Sequence, residues 1–284
     1  MRGASCTPSA SDRRRVPRLA AAALVALLLC AAAAWPDGPK SSSESEGTVV
    51  AAWSISHGTV RADPAVSVAA SKQRTYSLVE AYVVNALPPD VKVLVSRLEL
   101  FVSTSTAEDA TDGTATENPD GATWTIALDA REGESALVGG TREDREVFDE
   151  VVVHEVGHVL SLNDSQLADD DQEAGYSADG DRFTMSALLS RFYARFWKNR
   201  YPHGSSRDGT DQAAARYEED PGSFVTDYAA TDPSEDFAES FAYFVLDPAP
   251  TGTTGKDHKI QFFYHFPDLV RDRDYLRRGL SSTR

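Results

Sequence analysis

Val151-Val-Val-His-Glu-Val-Gly-His158 is the stretch on which the reading of this 284-residue chain turns. His154 and His158 are four residues apart, with Glu155 directly after the first, which is the H-E-x-x-H spacing. On an α-helix, residues four apart stand one turn above each other on the same face. The two imidazoles can therefore reach one tetrahedral zinc ion. Glu155 lies about 100° further round the helix, where its carboxylate can meet a water beside the ion without ligating the ion itself. Zinc lowers the pKa of such a water and the carboxylate takes its proton, which brings hydrolysis within reach at neutral pH. Two histidines and a glutamate at this spacing arise by chance in roughly one chain in a hundred of this length, so context has to decide. Upstream, Arg145-Glu-Val-Phe-Asp-Glu-Val-Val-Val153 reads as a helix apolar round most of its circumference. Two stacked histidines and a glutamate would be costly to bury there unpaired. A helix from about Arg142 to Leu162 is expected.

A catalytic zinc site needs a third protein ligand and one open position. The strongest candidate lies in Phe224-Val-Thr-Asp-Tyr-Ala-Ala-Thr-Asp-Pro-Ser-Glu-Asp-Phe-Ala-Glu-Ser-Phe-Ala-Tyr-Phe244. Thr231 or Asp232 can cap a helix with Pro233 at or near its first position and acidic residues in its first turn. On that helix Phe237, Phe241 and Phe244 share one face, while Glu235 and Glu239 share the opposite one. Ala238 and Ala242 flank the carboxylates, and their small size would let this helix approach the histidine helix closely.

In these two stretches the chain resembles the H-E-x-x-H zincin metallopeptidases of the gluzincin type, in particular catalytic domains similar to anthrax lethal factor. The resemblance covers His154 to His158 and Tyr228 to Phe241. It implies that Glu235 is the third zinc ligand. It implies that Tyr228, seven residues earlier, faces the cleft, where it steadies the oxyanion or donates a proton. Glu239 would then orient a metal-bound histidine from behind. A competing pattern starts at the same histidine. His-Glu-Val-Gly-His-Val-Leu-Ser-Leu-Asn-Asp164 places Asp164 where metzincin-type peptidases carry their third ligand, with Met185 as the methionine of their characteristic turn. The departure is Ser161, where that pattern has the glycine that lets the chain turn sharply. The segment around Met185 also reads as helix. His57, His203, His258 and His265 lack ligand spacing.

The chain ends and the composition set the surroundings. Arg13, Arg14, Arg15 and Arg18 precede an unbroken apolar run from Leu19 to Ala34, and Ala32 and Ala34 offer a cleavage site. Residues 1–35 are expected to be a cleaved secretory signal, or else an uncleaved N-terminal membrane anchor, and residues 36–47 a flexible linker. The run is somewhat short for a span of about 20 residues. Both cysteines, Cys6 and Cys30, fall in this leader, so the remaining domain, residues 48–284, has neither a disulfide nor a thiolate ligand to offer. The net charge is −16 for the whole chain, and about −20 once residues 1–34 are removed. Nucleic acid and anionic lipid both require a basic face, so neither is expected as a partner. A secreted or extracellular monomer acting on a peptide or protein substrate is expected, with membrane contact only through the leader.

The expected fold is α+β and zincin-like: a small, mostly antiparallel sheet packed on the histidine helix, followed by a helical C-terminal lobe. Thr48 to Ser67 offers one or two strands. Tyr76 to Leu87 reads as an amphipathic helix stopped by Pro88-Pro89. Val91 to Ser105 and Ala122 to Ala130 alternate as two strands, expected to pair as a hairpin across a long polar loop, Ala107 to Gly121. The second of these is the candidate edge strand beside the cleft, able to bind an extended peptide by strand addition. Asn163 to Asp181 reads as a solvated acidic loop. Met185 to Arg200 reads as a helix whose Phe192, Tyr193, Phe196 and Trp197 belong to the core, and a charged helix from Asp268 to Leu280 closes the chain. The activity implied is that of an exported Zn2+-dependent endopeptidase with Glu155 as general base. A non-catalytic binding module on the same scaffold is the reading of a different class, and a retained general base argues against it.

Overall fold

The structure, a computed structural model, describes residues 47–103, 112–169, 173–178, 180–201 and 210–281. The leader, nearly all of the linker and His203 lie outside the described residues. Gly47–Ser56 (β1) and Thr59–Ala62 (β2) form a hairpin in which His57 and Gly58 both take positive φ, 49° and 76°. Two-residue turns of this hand match the twist of the flanking strands, so His57 is spent on a turn. Gln73–Ala86 (α1) ends where Pro88-Pro89 begins. The same prolines start a second helix, Pro89–Leu94 (α2), with Pro89 in its first turn. The strand expected from Val91 therefore starts later, at Val95–Ser103 (β3).

Gly113–Glu117 (β4) and Trp124–Asp129 (β5) complete a five-stranded sheet in the order β2-β1-β3-β5-β4. Two expectations are corrected here. β3 and β5 run parallel, because the chain crosses to the far side of β5 and returns through β4 before entering β5. The edge of the sheet is β4, and β5 is internal. The reason lies in β5 itself: Trp124, Ile126 and Leu128 are buried on one face, and small Ala127 and helix-capping Asp129 are buried on the other. A strand covered on both faces belongs in the interior of a sheet. The edge strand, Gly-Thr-Ala-Thr-Glu, came from the segment that reads as polar loop. All other pairings in this sheet are antiparallel.

Asp129 accepts from the backbone N–H of Arg131 at 2.6 Å and so caps a short helix, Ala130–Glu134 (α3), which continues into a wider π-type turn at Ser135–Gly139. Arg142–Leu162 (α4) then runs along the sheet against β4 and β5, opened by a capping box between Thr141 and Asp144. Beyond it, part of the expected acidic loop is a small hairpin, Ala174–Ala178 (β6) and Asp181–Thr184 (β7). Five helices follow: Leu188–Phe196 (α5), Thr210–Glu219 (α6), Pro233–Leu246 (α7), Gly255–Phe263 (α8) and Pro267–Ser281 (α9). Their core is aromatic. Phe192, Phe237 and Phe241 each sit within 6.2 Å of Phe263, centroid to centroid, and Phe244 joins them at 5.3 Å. Among the described residues, no helix is long and apolar enough to cross a membrane. The architecture is α+β, with a small sheet on α4 and a helical C-terminal part.

Candidate metal centre

α4 and α7 meet almost backbone to backbone. A Cβ on Gly157 would lie 3.0 Å from Ala238 Cα, so only glycine opposite alanine permits this approach. Two of the sequence features, the glycine of His-Glu-Val-Gly-His and Ala238 between the two glutamates, are thus the two halves of one contact. α7 is fixed at its start by Asp232, whose carboxylate accepts from the N–H groups of Ser234 and Glu235 at 2.8 and 3.1 Å. With Phe237, Phe241 and Phe244 buried against α8, the other face of α7 turns Glu235 and Glu239 toward α4.

Three donor atoms converge between the helices. His154 Nε2 and His158 Nε2 are 3.0 Å apart, and Glu235 Oε2 is 3.2 Å from each. Zinc bonds of about 2.0–2.1 Å in a tetrahedron imply donor separations of about 3.3–3.4 Å, close to all three sides of this triangle. Two imidazole nitrogens facing each other and one carboxylate oxygen cannot all be satisfied by single protons, whereas one cation at their centre would meet every lone pair. The donor set, two nitrogens and one carboxylate with no thiolate, is one that zinc accepts. Among the described residues this is the one group of three or more potential ligands close enough to hold a metal ion.

The surrounding groups are set by hydrogen bonds and burial. Glu239 Oε1 lies 2.7 Å from His154 Nδ1. That contact fixes the proton on Nδ1 and leaves Nε2 its lone pair, as a metal-ligating histidine requires. Glu239 Oε2 accepts from the hydroxyl of Thr226 at 2.6 Å. His158 Nδ1, by contrast, has no hydrogen-bond partner. Without a cation, burial disfavours a charge on His154, but the hydrogen bonds its ring would donate to Glu235 and Glu239 outweigh it and hold its pKa well above the ordinary value. Glu235 shows the counterpart: burial pushes it up, yet the two histidines hold it well below the carboxylate range. Both directions say that positive charge is wanted at this point. Glu155 is 4% exposed, its Oε2 has no partner, and burial raises its pKa. Such a carboxylate is ready to take up a proton. Tyr228 sits in a short 3-10 turn, Tyr228–Ala230, with its ring centroid 6.0 Å from that of His154. Burial, and then the charges of Glu235, Asp232, Glu155 and Glu239, keep its phenol protonated.

Asp164 is not brought to this group. It opens a 3-10 turn after α4 and is exposed, and Met185 lies in a turn before α5, 62% exposed. Ser161 continues the helix where a glycine would break it, its hydroxyl bonded to the Gly157 carbonyl at 2.9 Å. His57, His258 and His265 are all exposed and outside the group. Two neighbours went unnoticed in the sequence. Thr226 carries no periodic signal, since its partner is thirteen residues on. Gly113, on the edge strand, is so close to α4 that a Cβ there would lie 2.7 Å from Val151 Cγ1 and 2.9 Å from Glu155 Oε1.

No family model matches the chain, and no curated protein matches it. Among solved structures the chain is similar to a protein of Bacteroides caccae ATCC 43185, described provisionally as a zinc-binding metallo-peptidase. The TM-score is 0.41 at 18% identity, over 74% of this chain and 76% of that one. What the site can do follows from its own geometry.

Proposed function

We propose that this chain is an exported zinc-dependent endopeptidase of the gluzincin type. The observation that carries the proposal is the triangle of His154 Nε2, His158 Nε2 and Glu235 Oε2, with sides of 3.0–3.2 Å, beside the buried and unpartnered carboxylate oxygen of Glu155. His154, His158 and Glu235 would hold the ion. When bound, zinc polarises the scissile carbonyl and makes a water acidic enough to lose its proton near neutrality. Glu155 takes that proton and passes it to the departing amine, for which its burial-raised affinity for a proton suits it. Tyr228, kept protonated, donates a hydrogen bond to the oxygen that becomes negative in the transition state. Glu239 keeps His154 in the tautomer and orientation that ligation needs. The export part of the proposal is supported by the arginine-led apolar leader and the strongly acidic, cysteine-free remainder.

A direct test is Glu155→Gln, which preserves the volume and removes the base. Peptide hydrolysis is expected to fall by about 10²–10⁴-fold while zinc binding stays stoichiometric. A wild-type protein that binds zinc yet hydrolyses no peptide across a diverse set would make it a binding module on this scaffold.

A further inference from the structure

Thr226 lies nine residues before Glu235, on the loop that leads into the tyrosine turn, and is not itself one of the three donors. Its hydroxyl nevertheless has a defined role in the hydrogen-bond network. The backbone N–H of Ala229 donates to Thr226 Oγ1 at 3.0 Å, using one of that oxygen's two lone pairs. Its single proton is left to point at Glu239 Oε2, 2.6 Å away. The other oxygen of Glu239 meets His154 Nδ1 at 2.7 Å. One hydroxyl thus joins two things the proposed chemistry requires: the carboxylate behind a ligating histidine, and the turn Tyr228–Ala230 that presents the phenol. The turn has a second anchor on its far side, where Arg216 donates to the carbonyls of Ala230 and Thr231. Asp227 also caps it, accepting from the Tyr228 N–H at 2.9 Å. The turn therefore does not depend on Thr226 alone, whereas Glu239 Oε2 shows Thr226 as its hydrogen-bond donor.

We propose that Thr226 is a positioning residue that sets both the affinity of the centre for zinc and the placement of Tyr228, acting through Glu239 and through the Ala229 N–H. The inference rests on the reading of His154, His158 and Glu235 as a zinc site. A carboxylate behind a ligating histidine makes the imidazole a better donor only while it is itself held, and loss of such outer contacts costs about 10–100-fold in metal affinity or activity. The hydroxyl is the only part of the side chain that matters to this argument. Valine keeps the shape and loses the hydroxyl; serine keeps the hydroxyl and loses a methyl.

The experiment compares wild type, Thr226→Val and Thr226→Ser. Zinc affinity is measured by competition with a chromophoric chelator, turnover on zinc-saturated protein, and Tm on zinc-free protein. Thr226→Val is expected to bind zinc about 10–100-fold more weakly, to turn over more slowly even when saturated with KM little changed, and to lose only a few degrees of zinc-free Tm, as two unmet hydrogen bonds imply. Thr226→Ser should recover most of both losses. Wild-type affinity in Thr226→Val, next to a wild type that binds zinc, overturns the inference and leaves the peptidase reading standing. So does a loss of affinity that follows a larger fall in zinc-free Tm and is not recovered by serine, because that is a packing effect. A wild type that takes up no zinc overturns the peptidase reading and the inference with it.

Discussion

Glu239 accepts hydrogen bonds at both carboxylate oxygens, whereas Glu155 on the facing helix leaves Oε2 bare. Two buried carboxylates beside the same centre are thereby given different work, one holding a proton donor in place and one waiting for a proton. Asp236, next to Glu235, is treated in a third way: Lys259 Nζ lies 2.5 Å from it and the Trp197 indole donates to it at 2.7 Å, both inside the aromatic core. That pair locks α7 to α5 and α8, so removing either partner would strand a buried charge. For Asp272 on α9 the neighbouring Arg271 lowers the pKa, but burial and Asp90 outweigh it. Asp272 is 3% exposed, its Oδ2 lacks a partner, and it faces Asp90 of α2. Burial, then the charge of Asp90 and the hydrogen bond between the two carboxyls, raise its pKa to about 7. A carboxyl group whose folded pKa lies above its unfolded one stabilises fully below the unfolded value, and that stability is lost as pH rises through the folded value. Asp272 therefore weakens the fold progressively from about pH 4 to pH 7 and above. Asp272→Asn is expected to raise Tm at pH 8 by several degrees, each 1 kcal/mol being worth about 2–4 °C at this size, with little or no gain at pH 4. Parallel Tm profiles for the two proteins across that range would show that Asp272 titrates normally.

At the level of elements, the site is the contact of α4 with α7 on one side and with β4 on the other. Both contacts are glycine-dependent, and they serve different purposes. A Cβ on Gly157 would stand 3.0 Å from the Ala238 backbone, so α7, and Glu235 with it, would have to shift away from the histidines by a few tenths of an ångström, or more for a larger side chain. A side chain on Gly113 meets Val151 and the carboxyl group of Glu155. Overpacking of this kind costs about 1–3 kcal/mol, and the functional losses should separate. Gly157→Val is expected to lose zinc affinity by at least about tenfold, since donors from two helices no longer converge. Gly113→Val is expected to keep zinc and lose turnover, because the side chains it displaces, Val151 and Glu155, are not among the three donors. Equal loss of both properties in both variants would argue against this division. α4 and α7 were legible in the sequence because apolar spacing and, for α7, the Asp232-Pro233 start mark them independently of the rest of the fold; the Thr141 cap of α4 was not noticed there. β4 was not legible, because Gly-Thr-Ala-Thr-Glu has a single apolar residue. Its strand character comes from the backbone pairing it makes with β5, and its place beside Glu155 from the absence of a side chain at Gly113.

Taken as a whole, the molecule brings together residues that are 81 positions apart, His154 and Glu235, by laying a C-terminal helix across the helix that carries the motif. Spacing showed both halves, since four-residue repeats of histidine and of glutamate each place two side chains on one face. Spacing also offered Asp164, far nearer in sequence than Glu235, and the continued helix through Ser161 and the exposed turn that follows keep that carboxylate away. Thr226 was out of reach of any pattern, being a single hydroxyl whose meaning depends on the folded loop. The net charge of −16 is a property of the whole chain and does not by itself produce this convergence. The claim at the centre is that the third donor is Glu235, and zinc content and affinity of residues 48–284 test it most directly. One zinc per chain is expected in wild type and in Asp164→Asn, with affinity collapsing in Glu235→Gln. Collapse in Asp164→Asn with Glu235→Gln unaffected, or a wild type that holds no zinc, would contradict it.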